Sequence, residues 1–235
     1  GVEWWGSNMG SRGSRGTGGG GPGGARAAKA AERSGIVSDK MIEQLLEDHG
    51  SSGAGTPLLS RAMRSIEEFK DGEIRTNDEV AKAFGVRTIP TSADIAATRA
   101  LYAETQAWLK SKGIKEVVAF RGEVVPESVA SKMRVGAVVK VPNATPFSEK
   151  AGVADRYVVE SMGDGKTAVI FRGVIPASKI VAHYGSRNVG MAGSDRELAV
   201  GGFGMKIKRI TKSSRNFENA DGDLIRGMQY VVDFE

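Results

Sequence analysis

The 235-residue chain has no cysteine, which removes disulfides, thiol nucleophiles and the usual structural zinc sites. Histidine is almost absent: His49 and His183 are the only two, and their separation argues against a histidine-rich metal site, so no metal is expected. No apolar stretch approaches the roughly 18 residues that crossing a bilayer requires, and no membrane span is expected. The first residues also lack the charged, apolar and cleavage-site series of a signal peptide, which argues against simple general export but not against a specialised secretion system. The chain opens on Gly1, as a processed product or a piece of a longer polypeptide would. What remains is an ordinary soluble composition, long enough for one large domain or a domain with an arm. The formal charge of +5 and pI near 9.4 point only mildly to an acidic or nucleic-acid partner.

Composition divides the chain into three. Residues 1–35 read as a Gly-rich flexible arm: Gly6 to Gly24 hold almost no side chain able to form a core. Arg12 and Arg15 in that segment resemble arginine-glycine contacts to nucleic acid, but a plain linker is the simpler reading. Trp4 and Trp5 ahead of it suit an anchor on another protein, either a larger parent polypeptide or a particle subunit. Residues 36–92 carry helical signals. Ser38 precedes MIEQLLEDH with Gly50 behind it, Pro57 to Phe69 reads as one helix stopped by Gly72, and Thr76 with Glu79 forms a capping box. His49, beside Gly50, reads as a partner of the helix C-terminal dipole.

Residues 93–235 form the third part, starting with a longer helix over 93–112. The period then changes to strands, expected at 116–121, 137–141, 167–173, 179–183, 196–200, 205–210 and 228–234, with one helix at 149–161. Helices followed by a series of short strands predict an α+β fold with mainly antiparallel sheets. GDGKT at Gly163 to Thr167 resembles the end of a phosphate-binding loop. The required first glycine would fall at Glu160, and a strand follows instead of a helix, so a turn is expected.

Three pieces carry polar residues where burial alone would select aliphatics: VVAFRGE (Val117 to Glu123), TPFSEKAGVA (Thr145 to Ala154) and GSDRELAV (Gly193 to Val200). On a strand, Val117, Ala119 and Arg121 share one face; Asp195, Glu197 and Ala199 share another, opposed to Leu198 and Val200. Two readings stay open. Arg121 and the two carboxylates face a common cleft, or Arg121 and Glu197 form a cross-strand ion pair or lie on solvated edges. His183, closing KIVAHY, lines the cleft or lies on the surface.

In this order and spacing the pieces resemble the mono-ADP-ribosyltransferase family, in its arginine-serine-glutamate branch, over about residues 93–235. The matching residues are Phe120-Arg121-Gly122, then Thr145 to Ser148 followed by a helix with Ala154 and Tyr157, then Asp195-Arg196-Glu197. Two departures stand out. Pro146-Phe147-Ser148 occupies the place of the usual Ser-Thr-Ser, so only Ser148 matches unless a small gap brings in Thr145. Asp195 stands where the family has glutamate or glutamine.

The resemblance implies two packed, mainly antiparallel sheets forming a cleft for NAD, which is the substrate. It also implies transfer of ADP-ribose to a protein acceptor, with a lean towards arginine. Catalysis would fall to Glu197, Asp195 and Ser148. Glu197 would stabilise the oxocarbenium-like charge on the ribose, an effect on the order of a few kcal/mol. NAD would be bound by Arg121 at the pyrophosphate, with Gly122, Thr145, Phe147 and Ser148 around it. Tyr184 and Asp195 would recognise the acceptor, Tyr184 opening the glycine-containing loop YGSRNVGMAG that precedes the carboxylates. Such domains occur as toxins and as phage enzymes packaged with head proteins. The arm suits either a tether to a larger polypeptide or docking on virion head or portal subunits, for delivery into a host cell. The alternatives are a non-catalytic virion structural or interaction protein with a basic arm, and an NAD glycohydrolase.

Overall fold

The computed structural model describes residues 37–50, 56–75, 78–187 and 195–235. The expected arm, Thr76 of the expected capping box and residues 188–194 of the glycine-containing loop lie outside them. Helix α1 (Asp39–Gly50) buries Met41, Ile42, Leu45, Leu46 and His49, the one-sided stripe of an amphipathic helix. The single helix expected over 57–69 is instead broken. Helix α2 (Thr56–Ala62) gives way to 3-10 turns at Met63–Ser65 and Glu67–Phe69, on either side of an extended Ile66 at φ −97 and ψ 130. Residues spaced by three drift about 120° round an α-helix over two steps, whereas a 3-10 period keeps them aligned. Met63, Ile66 and Phe69 accordingly all enter one core.

A short helix α3 (Asp78–Ala83) leads to the long helix α4 (Ser92–Ser111). Its start is set by a capping box: Thr91 accepts from the Asp94 N–H, and the Asp94 carboxylate accepts from the Thr91 N–H at 2.8 Å. The strands are β1 (Glu116–Pro126), β2 (Val138–Val141), β3 (Thr145–Ser148), β4 (Lys166–Pro176), β5 (Ile180–His183), β6 (Glu197–Val200), β7 (Phe203–Glu218) and β8 (Leu224–Phe234). Helix α5 (Glu127–Ala130) follows β1, and α6 (Ala151–Ser161) follows β3. The GDGKT segment is the expected turn: Gly165 adopts a left-handed φ of +68 and β4 begins at Lys166.

The fold is α+β, with helices first and then an eight-stranded sheet in the order β2-β7-β8-β4-β1-β3-β6-β5. Its pairs are antiparallel except β4 with β8. The sheet is not flat. Strands β3 and β8 stand three places apart, which is about 14 Å at normal strand spacing. Phe147 of β3 nevertheless meets Phe234 of β8 with ring centroids 6.3 Å apart. The sheet therefore curls until its two halves face each other over a core that includes Ala119, Phe147, Phe171, Leu198 and Val232. On the outer faces, α6 covers β1 and β4 through Ala154, Val158 and Ile170. The N-terminal helices cover β5 and β6, joining Leu45, Leu59 and Leu101 to Val181 and Ala199. Among the described residues no helix is long and apolar enough to cross a membrane.

Candidate active site

The three polar pieces occupy neighbouring strands. Phe120 of β1 pairs with Ser148 of β3, and Ser148 pairs with Glu197 of β6, so one cross-strand row joins all three pieces. Partners in such a row project to the same face, and that face is the outer one, where Phe120 meets the α6 cluster and Ala199 meets the helical cluster. Arg121 stands one residue out of phase with this row. It is in step with Ala119 and pairs across β4 with Phe171, both residues of the inner core.

Arg121 and Glu197 thus leave the sheet on opposite faces and are not a cross-strand ion pair. Each has its own partner. Arg121 is 5% exposed. Its Nε donates to Glu123 Oε1 at 2.6 Å, its Nη2 lies 2.5 Å from the same oxygen, and its Nη1 donates to the Pro146 carbonyl at 2.6 Å. The guanidinium therefore ties β1 to β3. Glu197 is 23% exposed and faces His49 at the end of α1, with His49 Nε2 3.5 Å from Glu197 Oε1.

Ser148 acts on the segment before Glu197. Its Oγ donates to the Asp195 carbonyl at 2.5 Å and accepts from the Lys150 N–H at 2.9 Å, while the Glu149 N–H donates to the Arg196 carbonyl at 3.2 Å. Arg196 between them holds φ +48, the left-handed region that costs a non-glycine residue energy and persists only where neighbours impose it. The end of β3 thus grips the start of β6 and sets the direction of Glu197. The Asp195 carboxylate accepts from Arg156 of α6, Nη2 to Oδ2, at 2.8 Å.

A second cation enters from the N-terminal part. Arg75, whose N–H donates to Ser60 Oγ at 3.0 Å, lies within the electrostatic reach of Arg121, Glu123, Tyr157 and Glu197. It keeps some contact with solvent, yet enough protein surrounds it that burial first, and Arg121 second, lower its pKa to about 9. Tyr157 of α6 faces the same region, its phenol pushed up by burial and then by Glu123.

Three of the expected NAD contacts are placed elsewhere. Thr145 is fully buried and donates to the Pro142 carbonyl at 2.7 Å, and Phe147 is in the core against Phe234. Gly122 lies under α6, where an added Cβ would come within 2.3 Å of the Ala154 carbonyl oxygen, so its glycine is needed for helix-on-strand packing. His183 is buried, which rules out the surface reading. Its ring stacks on Tyr184 and Trp108, each with centroids 4.6 Å away. His183 Nδ1 accepts from the Gly185 N–H, and Nε2 faces Glu149 at 3.3 Å. Tyr184 donates to Glu149 at 2.8 Å, and Arg196 lies over the Tyr184 ring at 5.8 Å. Tyr184 and Arg196 come before and after residues 188–194 in the sequence.

No protein-family model matches the chain, and no curated protein does either. Among solved structures, the chain is similar to Vis toxin, an ADP-ribosyltransferase from Vibrio splendidus, at 16% identity and TM-score 0.41, covering 97% of this chain and 89% of that one. A structure of Vis in complex with agmatine is similar at 17% identity and TM-score 0.40, covering 95% and 88%. Another, with an inhibitor named M6, is similar at 17% identity and TM-score 0.41, covering 91% and 81%. Likeness at this level carries no conclusion about function, which has to come from the side chains.

Five of those side chains had no place in the site as read from the sequence. His49 read as a dipole partner, and it does occupy the last turn of α1, but it also faces Glu197. Arg75, Glu149 and Arg156 carried no signal, because only the fold brings them to the row. Glu123 carried one: two residues after Arg121 on a strand, it shares the same face.

Proposed function

We propose that this chain is an NAD-dependent mono-ADP-ribosyltransferase that modifies a protein side chain, an arginine by preference. The observation carrying this reading is the cross-strand row in which Ser148 stands directly beside Glu197, with Phe120-Arg121-Gly122 on the next strand. The motifs that resemble the family are thereby in contact through backbone pairing. The charged groups fit a dinucleotide: Arg75 is a cation suited to a pyrophosphate, and the Glu197 carboxylate is an acceptor for a ribose hydroxyl.

NAD supplies a ribose whose bond to nicotinamide breaks with the electron pair leaving on the nicotinamide nitrogen, as a new bond forms to the acceptor nitrogen. Glu197 accepts a ribose hydroxyl hydrogen and lies opposite the positive charge that develops on the ring. Ser148 keeps that carboxylate in place through the Asp195 carbonyl. Arg75 contributes positive charge where the phosphates lie, and Arg121, held by Glu123, keeps the β1–β3 seam closed beneath them. Asp195 orients the acceptor guanidinium and takes up the proton it loses. Tyr184, which precedes residues 188–194 in the sequence, contacts the acceptor protein.

One observation favours a second reading, in which water takes the ADP-ribose: Asp195 is already engaged by Arg156. Incubation with labelled NAD separates the two. Label on a guanidine acceptor supports transfer, free ADP-ribose supports hydrolysis, and absence of turnover would remove both. Glu197→Gln keeps shape and removes charge, so it is expected to lower either reaction by about 100- to 1,000-fold. Undiminished turnover in that variant would remove Glu197 from the mechanism. The Gly-rich composition of residues 6–24, behind Trp4 and Trp5, supports a tether to a larger polypeptide or docking on a virion for delivery to a host. Deleting residues 1–35 is then expected to spare NAD cleavage, and its loss would argue against a separable arm.

A further inference from the structure

His49 is the one described residue with both ring nitrogens buried and unsatisfied. Its side chain is 1% exposed, and among the described residues neither Nδ1 nor Nε2 has a hydrogen-bond partner. Buried polar groups without partners are costly and uncommon, so such a group calls for a reason. Its place in the last turn of α1 accounts for a basic residue but not for two orphaned nitrogens. The adjacent acid, Asp48, is directed to Gln44 at 3.0 Å. The carboxylate facing the imidazole is Glu197, at 3.5 Å and outside hydrogen-bond geometry.

The approach is built into the packing. Leu45 of α1 and Ala199 of β6 belong to one apolar cluster. His49 lies one helical turn beyond Leu45, a rise of about 6 Å, and Glu197 lies two strand residues from Ala199, about 6.7 Å away on the same face. The two advances match, so the contacts that dock α1 on the sheet also deliver His49 to Glu197.

We propose that His49 is a positioning residue for Glu197: its Nε2–H takes one carboxylate oxygen once the substrate fills the cleft, leaving the other for the ribose hydroxyl. A closing movement of about half an ångström makes the bond, and catalytic hydrogen bonds are commonly long before substrate arrives. The N-terminal helices are then part of the active site and not only a cover for the sheet. This inference rests on the role assigned above to Glu197.

The test compares His49→Leu, which keeps the buried volume, with His49→Gln, which keeps an N–H donor at similar reach. In the leucine variant kcat for NAD cleavage is expected to fall by about 10- to 100-fold, the loss of one hydrogen bond to a charged group, with Kd for NAD within about twofold and Tm unchanged or higher. The glutamine variant is expected to recover most of the rate. Full activity in His49→Leu, or no recovery in His49→Gln, would overturn the proposal. A second readout is independent of turnover: with ADP-ribose bound, the imidazole 15N shifts of His49 are expected to differ between the wild type and Glu197→Gln. If they do not differ, the contact is absent and the proposal falls. If they differ but Glu197→Gln cleaves NAD normally, it is the assignment of Glu197 that has failed.

Discussion

Ser148 Oγ donates to the main-chain carbonyl of Asp195 at 2.5 Å, so the hydroxyl acts on the backbone two residues before Glu197. The same oxygen accepts from the Lys150 N–H, and the strained Arg196 lies inside the span it closes. Ser148→Ala leaves both backbone groups without this partner and releases the restraint on Arg196. The expected result is a fall in kcat of about 10- to 100-fold with Kd for NAD little changed, measured by turnover and calorimetry. Weakened NAD binding with normal kcat would instead make Ser148 a direct ligand of the dinucleotide.

Arg156 places a guanidinium on Asp195, the carboxylate assigned to the acceptor. An incoming guanidine has to displace it. Arg156→Gln is therefore expected to lower KM for a small guanidine acceptor several-fold while NAD hydrolysis stays the same. Asp195→Ala should depress transfer more than NAD cleavage, and equal loss of both would argue against an acceptor role.

Arg75 links stability to function. Its folded pKa, about 9, lies well below the ordinary guanidinium value, so the unfolded chain holds the proton more tightly. Charged Arg75 therefore costs stability at every pH below about 9, and the cost is relieved as pH rises from there towards the ordinary guanidinium range. Arg75→Met is expected to raise Tm at neutral pH by about 2–4 °C while weakening NAD binding. NAD should raise the Tm of the wild type more than that of the variant, because bound phosphate compensates the charge.

His183 predicts an acid limb in stability. Burial, opposed by Glu149, lowers its pKa below 6.5, and the groups facing it are Glu149, Trp108 and Tyr184, with Arg196 over the Tyr184 ring. The imidazole is neutral in the fold and takes up a proton on unfolding, so stability is present above 6.5 and is lost as pH falls below it. His183→Gln should flatten the dependence of Tm on pH between about 7 and 5. An unchanged slope would assign the limb to other groups.

Much of this was legible before the fold was known. The capped long helix, the change to a two-residue period, the glycine turn before β4 and the order of the three polar pieces all depend on neighbours a few positions apart. Such patterns follow from backbone sterics, capping and alternation, and they led to the α+β class; the placing of Ser148 with Glu197 came instead from the resemblance of the three pieces to a family. The break at Ile66 was not legible, because it answers to the core that Met63, Ile66 and Phe69 share and not to helix propensity.

Other features required the assembled molecule. Strand alternation allowed Arg121 and Glu197 a common face; register put them on opposite ones, since Phe120 and not Arg121 lies in the row with Ser148. Thr145 and Phe147 turned inward because the sheet curls and closes a core over them. His49 reached the site only when α1 packed against β6, and Arg75 only when the segment before α3 was tied to Ser60 and Asn143. Local order along the chain is written in short-range periodicity, but which groups meet across a cleft is set by register and docking, where contacts form between residues that no sequence interval connects.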